Sequence, residues 1–176
     1  MRSIKLLAIA GLLMGLGLSV NAADNYLANF KAGKWQGTVA DSVSADLKGK
    51  KMTATTATMG DAVTVTVKTE GDTGQEVWKI TPTQLVQTEY DATGKTLGTY
   101  TADLKKDTTT ATTRTFEIHC ADRAAGKCDN NINPKNNWVL TVAGGKFTYI
   151  VNGLKDKTNP NSYGQRHRFE FNYSGN

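Results

Sequence analysis

Cysteine, proline and histidine are scarce in this chain, and long apolar runs are confined to one end. Among 176 residues there are two cysteines, three prolines and two histidines. So little proline argues against a disordered tail or a Pro-rich linker. Beyond the run Leu6 to Val20, no apolar stretch approaches the roughly 20 residues a helix needs to cross a bilayer, so no transmembrane span is expected. No G-x-S-x-G elbow and no H-E-x-x-H pair occurs, which removes the common hydrolase signatures and predicts a non-enzyme. Neither a third cysteine nor a histidine completes a zinc set with Cys120 and Cys128, and no metal is expected. The net charge is +5, but the basic clusters Lys48 to Lys51, Lys105-Lys106 and Arg166 to Arg168 are short and dispersed. Such a distribution releases few counterions, and nucleic acid is not an expected partner.

What is present begins with an export signal. Arg2 and Lys5 precede the apolar run, and Val20-Asn21-Ala22 supplies small residues at the positions a signal peptidase reads. The expected cut falls between Ala22 and Ala23. It leaves residues 1–22 as signal peptide and residues 23–176 as a single domain, placed in a bacterial periplasm or secreted. In that oxidising setting Cys120 and Cys128 are expected to form a disulfide. Paired carboxylates at Glu70 and Asp72, and at Glu89 and Asp91, read as solvated turn positions.

Threonine is the compositional outlier, with 25 copies. A β-branched residue with one hydroxyl suits strands that have one wet face. After one short helical turn around Tyr26, Leu27 and Phe30, the periodicity is two throughout. Strands are predicted near 34–39, 51–59, 63–68, 77–80, 85–90, 97–104, 109–120, 138–142, 147–151 and 166–173. Tight turns such as Gly60-Asp61, Asp91 to Lys95 and Gly144-Gly145 join them, and no helical segment of useful length intervenes. Residues 121–137 form a long, polar, Asn-rich connection. The expected fold is all-β: one antiparallel up-and-down meander of 8–10 strands, closed into a barrel to remove its edges. An outer-membrane barrel is the rival architecture, but the Thr-rich runs lack an apolar lipid-facing alternation.

Gly33-Lys34-Trp35, after a helical turn and at the head of the first strand, resembles the G-x-W signature of lipocalins and the wider calycin group. The resemblance implies a cup for a small hydrophobic molecule. It also implies a closed floor where Trp35 is covered by an arginine from the last strand, Arg166 or Arg168, through a cation–π contact. Trp78, Trp138, Phe147, Tyr149, Phe169 and Phe171 each alternate with polar neighbours and are candidate cavity residues. His167 shares a face with Phe169 and Phe171 and joins them. A single histidine suffices to ligate haem, so His167 is the residue through which a haem alternative would act, although no cofactor is expected. The leading expectation is an exported binding protein. The alternative is a protein-interaction or inhibitor module that meets a protein partner through residues 121–137, with a solid barrel core.

Overall fold

The computed structural model describes residues 22–122 and 128–176. Residues 1–21, which make up most of the expected signal peptide, and residues 123–127 within the disulfide loop lie outside the described residues. A 3-10 helix over Ala22–Asn29 precedes ten strands: β1 Gly33–Ser42, β2 Lys51–Met59, β3 Ala62–Thr69, β4 Gln75–Ile80, β5 Gln84–Tyr90, β6 Thr96–Leu104, β7 Thr113–Asp122, β8 Asn137–Ala143, β9 Lys146–Leu154 and β10 Tyr163–Gly175. Each strand pairs antiparallel with the next, and β10 returns to β1, so the sheet is a closed up-and-down barrel. Closure gives every strand two neighbours and leaves no unpaired edge.

The alternation that predicted the strands also fixes their faces. In β2, Met52, Ala54 and Thr56 are buried while Lys51, Thr53 and Thr55 are exposed; in β3, Val63, Val65 and Val67 are buried and Lys68 is exposed. Threonine thus supplies an outer face that is β-branched for the pleat and polar for water. Lysines and threonines on this outer face do not make the apolar band of a lipid-facing barrel. Gly37 lacks a side chain for a packing reason. A Cβ there would sit 2.5 Å from the Phe171 ring across the β1–β10 pair.

One predicted strand starts late. The run read as extended from Thr109 enters β7 only at Thr113. Thr109 instead caps a short 3-10 turn over Lys106–Thr108, and a bend at Ala111-Thr112 follows before the strand. Thr108 and Thr109 donate their hydroxyls to the carbonyls of Lys105 and Lys106, and the amides of Thr112 and Thr113 donate to the Thr110 hydroxyl. Threonine is a strand former, but its hydroxyl also competes for local backbone partners. Here the local bonds win.

The barrel has two unlike ends. Connections β2–β3, β4–β5, β6–β7 and β8–β9 lie at the end where β1 begins, and the 3-10 helix packs there. Tyr26 and Phe30 from that helix are buried, and the Tyr26 hydroxyl donates to the Leu140 carbonyl at 3.1 Å. Trp35 sits above them with its rings 5.0 Å from Phe147 and 5.1 Å from Tyr173, and its Nε1 donates to the Thr56 hydroxyl at 2.9 Å. Phe147 stacks on Phe171 at 4.3 Å. This half is solid.

The arginine at the floor is not the expected one. Arg114 of β7 is buried, lies 4.4 Å over the Tyr26 ring, and donates to the carbonyls of Thr110 and Thr113. Burial raises the Tyr26 phenol's pKa, and the Arg114 charge partly opposes the rise. Arg168 points outward and pairs with Glu170 at 2.5 Å. Arg166 lies near the start of β10, seven residues from Tyr173, the residue paired with Trp35. At the rise of a strand that separation is about 23 Å, so Arg166 belongs to the opposite end.

Candidate functional site

The opposite end is hollow. A cavity of about 800 Å³ occupies the upper barrel. Its walls come from β4 through β10: Glu76 on β4, Gln87 and Glu89 on β5, Tyr100 on β6, Ile118 on β7, Trp138 on β8, Tyr149 and Val151 on β9, and Arg166, His167 and Phe169 on β10. Leu47, from the β1–β2 connection, and Asp129, Asn131, Ile132, Asn133 and Asn136, from the β7–β8 connection, complete the mouth.

Of the seven residues proposed for the cavity from sequence, Trp138, Tyr149, His167 and Phe169 line it. Trp78, Phe147 and Phe171 do not: each is about 1% exposed and packs in the solid half below. The alternation assigned all seven correctly to the inner face. It could not say at which height along the axis the interior stops being filled. Tyr149 marks the boundary. Its ring lies 4.3 Å from Trp78 beneath, and 5.8 Å from Phe169 and 6.0 Å from Trp138 around the cavity wall.

A hydrogen-bonded chain crosses the barrel at this level. The Tyr149 hydroxyl donates to Gln87 Oε1 at 3.0 Å, and Gln87 Nε2 donates to Glu76 Oε2 at 3.1 Å. Trp78 Nε1 donates to the same Glu76 oxygen at 3.0 Å. Gln87 is therefore oriented from both ends, because its carbonyl side must accept and its amide side must donate. Glu76 is half-buried, and its remaining exposure opens into the cavity. Burial pushes its carboxyl pKa from the ordinary 4.5 up to about 7, with the Trp78 bond opposing and the charges of Glu89 and Asp72 adding to the rise. Glu89 stands directly across the β4–β5 ladder from Glu76. Like charges facing each other across a ladder are unfavourable for folding. Burial and the Glu76 charge likewise raise the Tyr149 phenol pKa.

The β10 wall is different in character. The His167 imidazole Nδ1 shares a 2.9 Å hydrogen bond with the Ser42 hydroxyl, and its ring lies 6.0 Å from Phe169. Burial, with help from the Arg166 charge, holds its pKa below the ordinary 6.5. Arg166 reaches the cavity after a bulge between Gln165 and His167. Its Nε is buried without a hydrogen-bond partner among the described residues. The side chain crosses Gly153, where a Cβ would come within 3.1 Å of Arg166 Cδ and 2.8 Å of Asn136 Oδ1. His119, the other histidine, faces outward with Nδ1 3.2 Å from Asp103. Among the described residues, no group of three or more His, Cys, Asp or Glu is arranged to hold a metal ion.

The mouth is organised by polar local structure. Cys120 and Cys128 are joined in a disulfide that ties the end of β7 to the connection that follows. Ala121 and Asp129 form an isolated antiparallel bridge, and the side chains of Asp129 and Asn133 accept the amides of Asn131 and Lys135. These Asx turns shape the connection without regular structure.

The sequence reading left Glu76, Gln87 and Arg114 unassigned and put Glu89 in a solvated turn. A signal for each was present. Glu76 is in phase with Trp78 and Ile80, Gln87 and Glu89 with Leu85, and Arg114 with Phe116. A polar residue in phase with a buried set points inward, and Glu89 accordingly sits on a cavity wall rather than in a solvated turn. Compared with protein-family models, curated proteins and solved structures, the chain matches none of them.

Proposed function

We propose that this protein is a non-enzymatic carrier that holds one small molecule in the upper half of its barrel. The observation that carries the reading is the abrupt change from a filled interior to a cavity of about 800 Å³ at the level of Tyr149. That volume lies in the range of small-molecule sites, which combine apolar walls with a few convergent polar groups. Trp138, Tyr149 and Phe169 supply apolar surface, while Glu76, Gln87 and Arg166 supply directional groups. The likeness to calycins noted at Gly33-Lys34-Trp35 implies the same use of the fold. The disulfide fits an exported protein, in a periplasm or outside the cell.

The rival reading, a protein-binding module acting through residues 121–137, assumed a solid core. Asp129, Asn131, Ile132, Asn133 and Asn136 instead border the cavity, which favours their service as the wall of a mouth. The test is native mass spectrometry of the protein purified gently from its own host. A co-purifying mass of a few hundred daltons is expected. It should disappear in Val151→Trp, which fills the cup, with near-ultraviolet circular dichroism verifying the fold. Wild-type protein that repeatedly flies at its bare mass, and whose Trp fluorescence ignores titrated lipid extracts, would reject a carrier role.

A further inference from the structure

Two polar groups on opposed walls of the cup keep hydrogen-bonding capacity that the described residues leave unused. Glu76 Oε2 already accepts from both Trp78 and Gln87. Oε1 has no hydrogen-bond partner among the described residues, and the side chain opens into the cavity. A carboxylate has about four acceptor sites, so half of this one's capacity faces the hollow. On β10, four places round the ring from β4, Arg166 borders the same hollow, and its buried Nε has no acceptor among the described residues. A guanidinium offers five donors in a fixed fork suited to a carboxylate or similar oxygen pair. Leaving such groups unmatched in a partly dry interior is costly, and native structures do so mainly where a ligand or water completes them.

Resting on the carrier reading above, we infer that the occupant is amphoteric. A protonated nitrogen meets Glu76, an anionic oxygen meets Arg166, and an apolar body spans Trp138, Tyr149 and Phe169. The Tyr149–Gln87–Glu76 chain supports this assignment. It pins the carboxylate before the ligand arrives, so little orientational freedom is lost on binding. His167 stands beside Arg166 on the same wall, and with Nδ1 engaged by Ser42 it has only Nε2 to offer the anion. A wholly apolar ligand would cover Glu76 Oε1 and the Arg166 fork while satisfying neither.

The test uses four probes with one eight-carbon body: 8-aminooctanoate, octylamine, octanoate and 1-octanol, each titrated calorimetrically into the protein. 8-Aminooctanoate is expected to bind at least about tenfold more tightly than octanol, the scale of one charged hydrogen bond. Glu76→Gln should weaken 8-aminooctanoate and octylamine about tenfold and leave octanoate unchanged. Arg166→Gln should weaken 8-aminooctanoate and octanoate and spare octylamine. Equal affinities for all four, or variants that shift all four alike, overturn the amphoteric assignment while leaving the carrier reading intact. If none of the four binds and no mass co-purifies, both readings fall together. Should a variant not fold, the ranking of the four probes on wild-type protein decides alone.

Discussion

The lower and upper halves of the barrel are made by the same ten strands with the same alternation, yet one is filled and the other is hollow. In the lower half the inward positions hold Trp35, Trp78, Phe147 and Phe171, and the 3-10 helix adds Tyr26 and Phe30. Polar groups there are matched: Trp35 with Thr56, Tyr26 with Leu140, Arg114 with two carbonyls. In the upper half, inward positions hold Glu76, Gln87, Glu89, Arg166 and His167 among fewer aromatics. The difference teaches that one set of strands can be filled at one height and left open at another; under the proposed carrier role, the filled half serves stability and the open half recognition. Close packing below fixes the strand geometry on which the cup above depends.

The sharpest way to break the comparison is to delete one ring from each half. Phe147→Ala removes a fully buried ring that touches Phe30, Trp35, Trp78 and Phe171, and a loss of about 4 kcal/mol is expected from urea unfolding. Phe169→Ala, half-buried beside an existing cavity, should cost about 1–2 kcal/mol. Equal losses would mean that the upper half is packed as tightly as the lower.

A second prediction concerns the cup's acid. The Glu76 pKa is raised in the folded state, from 4.5 to about 7. The native protein therefore binds a proton that the unfolded chain has released, and stability falls as pH rises from about 4.5 to about 7. The loss is complete above that range, at most about 3 kcal/mol. Glu76→Gln should abolish this slope, so its advantage over wild type grows between pH 5 and pH 8. His167 acts in the opposite sense: its pKa is lowered in the folded state, so its contribution is lost as pH falls below about 6.5. Urea midpoints measured in a His167→Gln background isolate the Glu76 slope. A flat profile there would remove the case for a desolvated carboxyl.

The smallest effect belongs to the outer face. Arg168 and Glu170 form a pair with both side chains nearly half exposed. Arg168→Ala should change stability by less than about 0.5 kcal/mol. A larger loss would assign the outer face an energetic role that neither half of the interior explains.

Much of this was legible from residues alone. Period-two patterning located all ten strands, because a strand with one wet face must alternate, and the turn glycines and Asx residues marked their ends. The inner set of aromatics followed from the same rule. Arg114 was less visible, since an arginine in a threonine-rich run looks like a surface residue unless its phase with Phe116 is weighed. The β7 start was misplaced because hydroxyl-to-backbone bonds at Thr108 to Thr110 depend on a local conformation that propensity does not reveal.

The amino-acid order by itself determined a single antiparallel meander, which aromatic side chains face inward, and the pairing of two cysteines eight residues apart. Those follow from local rules: alternation on a pleat, turn chemistry, and the lack of other thiols. Tertiary structure alone decided that Arg114 rather than Arg166 or Arg168 joins the floor, that the filling stops at Tyr149, and that Glu76 and Arg166 face one hollow. Each depends on barrel closure and on the relative heights of strands distant in sequence, and those heights are set by the summed register of every ladder between them.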